Sequence, residues 1–367
     1  MRVGQSPVGV GILGAGRANI ATSCQIPACQ AAANVRLVSL CDRLESVYDI
    51  AREHGLRATT DYAEMLADPE VEMVQVATPD WCHLAHARQA LAAGKHVLLQ
   101  KPICTSLGDL RELMATAGNA PGKLKILLNN RHTPLVRTLH HGILAGLIGE
   151  LRHVCIQYRG HRYPIDDASS PYLRAESGGV WVHNGLHWLD EACLYAGATP
   201  SSVHTTTTRN DQAPASLLGE GPNYWCGLFR LGEAVTCRFE YNTMLLADGL
   251  PGGMQRALIG TEGELRVAYG TDRARLFRTT ALDSPLLEPD RDGGDLPVHW
   301  LNPIETFANP QDGTVDSFRR AMEDFADEIR GGEESPPFLA DSCRCMELLI
   351  RSANGTPTYC AEPEVQP

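Results

Sequence analysis

Residues 8–19 run Val8-Gly9-Val10-Gly11-Ile12-Leu13-Gly14-Ala15-Gly16-Arg17-Ala18-Asn19. A short apolar run, Val8 to Leu13, passes directly into a glycine turn, and a helical pattern from Ala18 to Ala33 follows it. Glycines at such a junction let the backbone come close to a pyrophosphate, and the start of the helix offers free N–H groups and the positive end of its dipole. The stretch therefore predicts the first βα unit of a parallel sheet, with Pro27 breaking or restarting the helix.

Working outward, the first part of the chain keeps the same rhythm. Strands are expected at Val35 to Cys41, Met73 to Ala77, His96 to Leu99 and Lys125 to Leu128, with helices at Trp81 to Ala93 and Leu107 to Ala117. This is a doubly wound α/β sheet occupying residues 1–130. Beyond Gly149 the character changes. Leu151 to Tyr158, Ser202 to Thr208, Trp225 to Arg230, Ala234 to Asn242, Gln255 to Gly260 and Glu264 to Ala268 read as strands joined by turns rather than by crossover helices. Residues 131–367 are thus expected to form an α+β domain with a large, mostly antiparallel open sheet. Helices are expected at Gly185 to Ala196 and Val315 to Ile329, and 270–313, rich in Asp, Pro and Gly, reads as surface loop.

Asp42 closes the second expected strand, where a carboxylate accepts hydrogen bonds from an adenosine ribose. Glycine turn, second strand and terminal acid in that order point to a dinucleotide. A carboxylate repels the 2′-phosphate of NADP, so NAD is the expected cofactor, although Arg43 next in the chain has the chemistry to pair with that phosphate.

The chain has 367 residues, with 43% hydrophobic and 21% charged, an ordinary globular composition large enough for two cores. Its net charge of -12 argues against nucleic acid as the main partner, because phosphate binding needs a basic face. The N-terminus lacks a signal-peptide pattern, and no run is apolar enough to span a bilayer. The twelve cysteines are scattered, without a CxxC pair, and read as reduced thiols, so a cytoplasmic location is expected.

Three further segments carry a resemblance. Ala77-Thr78-Pro79-Asp80 is followed by His83, Gln100-Lys101-Pro102 ends a strand, and Gly178-Gly179-Val180-Trp181-Val182-His183-Asn184-Gly185-Leu186-His187-Trp188-Leu189-Asp190 lies in the second domain. With the glycine turn, with Asn130-Arg131 and with Gly260-Thr261-Glu262-Gly263, these resemble the Gfo/Idh/MocA oxidoreductases, such as glucose-fructose oxidoreductase and inositol dehydrogenase. The resemblance implies a Rossmann domain whose dinucleotide contacts fall at Gly14, Gly16, Arg17, Ala18, Asp42, Arg43, Thr78, Pro79, His83, Gln100 and Lys101. In that family the strand-end motif is Glu-Lys-Pro, with the lysine beside the nicotinamide. Lys101 matches, while Gln100 replaces the acid and Asn19 replaces a small residue of the glycine fingerprint.

The family's second motif is Asp, then His four residues later, then Asp three after that. Here His183 stands for the first Asp, while His187 and Asp190 match. The spacing puts all three near one helical face if the helix has begun by His183. Three readings stay open at this point: histidines satisfied in a buried interface, a metal pair, or proton transfer at His187 with His183 adjusting it. The expected assignment is catalysis by Lys101, His187 and His183, with no metal. Substrate contacts are expected at Arg131, Tyr158, His161, Arg162, Tyr163, Arg174, Trp181 and Asn184, whose aromatic faces and forked donors suit a polyol or an anionic sugar. An arginine network pairing with Asp166, Asp167 and Glu176 is the structural alternative for part of this set.

The resulting expectation is an NAD(P)-dependent dehydrogenase of a sugar, sugar acid or cyclitol, assembled as a homodimer or homotetramer through the open face of its second sheet. Two alternatives share these residues: a glycoside hydrolase acting by transient oxidation, and a non-catalytic dinucleotide sensor.

Overall fold

The structure is a computed structural model that describes residues 6–17, 19–159, 179–208, 222, 224–242, 253–280, 282–289 and 298–353. It divides into two compact units, Met1–His132 with Phe307–Met346, and Thr133–Thr306 with Glu347–Pro367. The second expected domain is therefore not continuous to the end of the chain, because residues 307–346 return to the first unit.

The first unit holds six parallel strands: β1 (Val8–Leu13), β2 (Val35–Cys41), β3 (Arg57–Thr59), β4 (Met73–Val76), β5 (His96–Gln100) and β6 (Leu124–Leu127). Their spatial order is β3-β2-β1-β4-β5-β6, so the winding reverses between β1 and β4. Every residue of β1 and β4 is buried, as expected of parallel strands covered on both faces. Five helices accompany them: α1 (Ile26–Ala31), α2 (Ser46–Glu53), α3 (Tyr62–Ala67), α4 (His83–Ala92) and α5 (Leu107–Asn119). The three-residue β3 is too short to leave a periodic signal in the sequence.

Pro27 does restart the first helix. A π-helical turn, Ala21–Gln25, precedes α1, and the Ile26 N–H reaches back to the Ala21 carbonyl. Pro27 has no N–H to offer the carbonyl of Ser23 one turn earlier. Gln311 supplies that donor, its Nε2 lying 3.1 Å from the Ser23 oxygen.

The second unit opens with α6 (Pro134–Leu144), then β7 (Leu151–Arg159), α7 (Gly179–Ala196), β8 (Pro200–Thr208), β9 (Tyr224–Leu231), β10 (Val235–Asn242), β11 (Gly253–Gly260), β12 (Gly263–Val267), β13 (Ala274–Arg278), β14 (Leu287–Pro289) and β15 (Val298–Leu301). The nine strands lie in the order β14-β15-β13-β12-β11-β7-β10-β9-β8, antiparallel except where β7 runs beside β10. Alternation sets the covered face: Val235, Cys237, Phe239 and Tyr241 of β10 are buried while the residues between them are not. Against this face lies α7, whose Trp181 stacks with Trp225, Phe229 and Phe239.

Part of the expected 270–313 loop is sheet. β13 reads Ala-Arg-Leu-Phe-Arg, and its Arg275, together with Arg273, lies over the Trp300 ring at 4.3 and 4.5 Å. Cation–π contact gives these guanidiniums a place on a strand face that charge alone would argue against.

Two helices follow, α8 (Pro310–Ile329) and α9 (Leu339–Ser352). α8 starts earlier than its apolar pattern, because Asn309 caps it by accepting from the Gln311 N–H at 2.9 Å. Phe318, Ala321, Met322, Phe325 and Ala326 of α8 share one core cluster with Val8, Val10, Ile12 and Leu98 of the first sheet. At its end, the buried Lys125 and Glu328 form an ion pair, and Ser335 gives the carboxylate two further hydrogen bonds at 2.7 and 2.9 Å. Removing the cation leaves a buried carboxylate without its counter-charge, so Lys125→Met is expected to destabilise the first unit by about 3–5 kcal/mol. Scanning calorimetry should show a lowered transition, and Lys125→Met/Glu328→Leu should recover part of the loss. An unchanged transition in the single variant would mean that the pair does not hold α8 in place.

Candidate functional site

The dinucleotide end of the first unit is built where β1, β4 and β5 finish. Gly14 takes a positive φ of 99°, and a Cβ there would lie 2.7 Å from the Ala77 carbonyl carbon. A Cβ on Gly16 would lie 2.6 Å from the Asp42 carboxyl carbon. The cradle exists only because neither position carries a side chain, so its shape fits a pyrophosphate and its adjoining ribose. Asp42 accepts from the Gly16 N–H at 2.9 Å and from the Leu44 N–H at 3.0 Å, and Ser46 donates to the Gly16 carbonyl at 2.6 Å. A carboxylate has about four acceptor directions, so two remain for a ribose diol. Arg17 and Arg43 are exposed nearby in sequence, and Ala18 lies outside the described residues.

Asn19, the departure from the small-residue fingerprint, has a structural role that its residue type makes possible. Its Nδ2 donates to the Gly14 carbonyl at 3.0 Å, and its Oδ1 accepts from the Ala21 N–H at 2.9 Å. The side chain thus ties the glycine turn to the first helical residues. The preference of Asn for helix starts is the signal that marks this role, and sequence reasoning missed it.

Beyond β4, Thr78 is half-buried and Pro79 exposed, while the Thr78 hydroxyl meets His86 Nδ1 at 3.0 Å. His83, expected at the dinucleotide, is instead fully buried, with Nδ1 2.6 Å from the Pro102 carbonyl and Nε2 2.9 Å from the Thr78 carbonyl. It fastens the chain after β4 to the chain after β5. Burial holds its pKa below the usual imidazole value, with Asp80 opposing. Gln100 folds its Oε1 onto the next residue's N–H, accepting from Lys101 at 2.9 Å. Burial pulls the Lys101 ammonium down to about 8, and the Asp80 carboxylate limits the fall. A lysine in that range exchanges its proton near neutrality, which a solvated lysine does not.

In the second unit the helix has begun before His183, since α7 starts at Gly179. His183, Asn184 and Asp190 are buried and His187 is half-buried on the same helix. Trp181, expected to touch substrate, is wholly buried in the aromatic stack. Its indole N–H donates to Ser352 Oγ at 3.1 Å, so it supports the helix instead. Tyr158 is half-buried and stacks on Trp188 and Tyr241 at 5.6 and 4.7 Å. Arg131 belongs to the first unit, in the turn Asn129–His132, where it is largely buried and acts on the Asp341 carboxyl. His161, Arg162, Tyr163 and Arg174 lie outside the described residues.

Also missed by sequence reasoning is a buried polar group under α7. Glu191 accepts from Arg256 Nε at 2.5 Å and from the Tyr195 hydroxyl at 2.9 Å. Its signal is the i, i+4 placement of Glu191 and Tyr195 on the same helix.

Comparison with known proteins agrees with this geometry. The GFO_IDH_MocA model, oxidoreductase family with an NAD-binding Rossmann fold, matches residues 8–126, and the GFO/IDH/MocA C-terminal domain model matches 136–266. Oxidoreductase ORF334 of Rhizobium meliloti is 25% identical over 338 residues, spanning 91% of this chain and 93% of its own. An Agrobacterium radiobacter oxidoreductase solved with NAD+, L-tartaric acid and magnesium superposes with a TM-score of 0.77 at 20% identity, over 97% of this chain and 99% of that one. Levoglucosan dehydrogenase, solved with NADH and levoglucosan, superposes at 0.75 with 18% identity, over 95% and 97% of the two chains. Because the two domain models of one family match the two sheets in order, and the first sheet ends in the glycine-and-acid cradle such a cofactor requires, the chain belongs to the Gfo/Idh/MocA family of NAD-binding oxidoreductases.

Proposed function

We propose that the protein is an NAD-dependent dehydrogenase that interconverts a hydroxyl and a keto carbon on a sugar, sugar acid or cyclitol. The observation that carries the reading is Lys101, a desolvated lysine at the end of β5 with a pKa near 8. The similarity to levoglucosan dehydrogenase supports the substrate class.

A nicotinamide dinucleotide, when bound, supplies the hydride acceptor or donor, which no side chain offers. Asp42 selects the dinucleotide by holding a ribose diol and repelling a 2′-phosphate. In oxidation, neutral Lys101 takes the hydroxyl proton as the ketone forms, and in reduction its ammonium returns it. His187 serves as a second proton carrier, and His183 adjusts it. Tyr158 and Asn184, both in the second unit, are assigned to orienting hydroxyl groups, a use that suits an aromatic face and a planar amide.

Cofactor choice is tested by calorimetric titration with NAD+ and NADP+. NAD+ is expected to bind at least about tenfold more tightly, and Asp42→Ser should narrow the gap. Tighter NADP+ binding by the unaltered protein would reject Asp42 as selector and turn attention to Arg43.

The reaction is tested by a panel of sugars, uronates and cyclitols, following NADH and any released aglycone together. NADH in proportion to ketone supports the dehydrogenase, whereas many aglycone turnovers without net NADH would establish redox hydrolysis instead. With a substrate in hand, Lys101→Met should cost about 10²- to 10⁴-fold in kcat while NAD+ binding changes little. The oxidation rate of the unaltered enzyme should rise as pH passes through about 8, because the neutral amine is the base, and the reduction rate should fall over the same interval. A pH profile that keeps that limb in Lys101→Met would show that another group titrates there.

A further inference from the structure

Along α7, His183, His187, Glu191 and Tyr195 recur every four residues. Side chains at that interval are neighbours on a helix surface, so the four form one ridge on a helix whose other buried residues include Trp181, Val182, Leu186 and Leu189 beside the polar Asn184 and Asp190. The far end of the ridge is clamped. Glu191 Oε1 accepts from Arg256 Nε at 2.5 Å and from the Tyr195 hydroxyl at 2.9 Å, and Oε2 accepts from Arg256 Nη2 at 3.1 Å. Glu191 is 0% exposed, Tyr195 3% and Arg256 8%.

Burial by itself would weaken the Arg256 charge, yet the Glu191 carboxylate outweighs it and the pKa is raised. Burial, with Glu191 adding to it, also lifts the Tyr195 hydroxyl well above its ordinary value, so that group stays a donor. The guanidinium is a planar fork engaging both carboxylate oxygens, an arrangement that fixes direction as well as distance. Its strand, β11, is itself held between β7 and β12. An apolar pair would hold helix to sheet as well, since a buried ion pair adds little net stability over a hydrophobic one. What the fork adds is an angular setting.

We propose that Glu191, clamped by Arg256 and Tyr195, is a positioning residue that fixes the rotation of α7 and so the orientation of the His187 and His183 rings on the same ridge. The inference rests on the reading of His187 as a proton carrier. Glu191 is not itself that carrier, because both its oxygens are engaged by a guanidinium that keeps its charge.

The test uses the full chain labelled with 15N-histidine, at one fixed pH, with the His187 ring signals identified by their loss in His187→Gln. Three variants are compared: Tyr195→Phe, Arg256→Lys, and the pair Glu191→Leu/Arg256→Met. Arg256→Lys keeps the charge but loses the fork, and it is expected to displace or broaden the His187 signals. Tyr195→Phe should do so less, and the apolar pair should do so most while its thermal midpoint stays near that of the unaltered protein. On a substrate found by the screen above, Arg256→Lys should lower kcat about tenfold or more with KM little changed, as a small misplacement of a reacting group does. His187 signals that superimpose on those of the unaltered protein in every folded variant would overturn the proposal, whatever happens to stability. Should the apolar pair fail to fold, the other two variants decide. If no sugar is oxidised, the functional reading fails by itself, since the ring signals are read without substrate.

Discussion

The nearness of two backbones governs the dinucleotide end of this protein. At Gly14 the chain leaving β1 passes so close to Ala77, at the end of β4, that even a methyl group has no room. The reversal of strand order at this point opens a crevice beyond the sheet, as in other doubly wound folds, and close approach keeps the floor of that crevice made of main chain. The neighbouring pieces are fastened to it. Asp42 grips Gly16 from the end of β2, Asn19 grips Gly14 from the helix side, and His83 bridges the carbonyls of Thr78 and Pro102. Residues expected to meet the dinucleotide and residues that fasten the backbone are consequently interleaved, which is why His83 is a fastener where motif reading gives it a dinucleotide contact.

Each unit also holds one helix by a buried ion pair. Lys125 and Glu328 secure α8 in the first unit, and Arg256 and Glu191 secure α7 in the second. Both are expensive devices, because charges removed from water regain the loss only with good geometry and additional hydrogen bonds. Ser335 and Tyr195 supply those bonds. Hydrophobic packing alone permits a helix to slide or turn by small amounts, and a charged pair with defined donors does not.

Much of this architecture is legible in the amino-acid sequence. β1, β2 and β4 carry strong period-two or fully apolar patterns, and the glycine turn with Asp42 announces what the sheet is for. The parts that are not legible share a physical reason: they depend on partners distant in the chain. β13 and β15 look like loop until Trp300 comes beneath the guanidiniums of Arg273 and Arg275. Trp181 sits within a motif associated with substrate, yet whether an indole faces a ligand or a core depends on Phe229 and Phe239, which local pattern cannot place. The return of α8 to the first sheet is hidden for the same reason. Its apolar stripe says that it packs, not against what.

That return has a consequence for how the protein comes into being. Asn34, beside the start of β2, is hydrogen-bonded to Asp327 of α8 across 293 positions of the chain. A ribosome therefore emits residues 133–306, the larger part of the second unit, before the helix that completes the first core is available. Until then the underside of the first sheet, with Val8, Val10, Ile12 and Leu98, lacks the side chains of α8 that belong against it. An apolar surface waiting during synthesis is open to chaperones and to wrong partners alike. Changes in residues 307–346 thus bear on the yield of folded protein in the cell, and not only on the stability of molecules that have already folded.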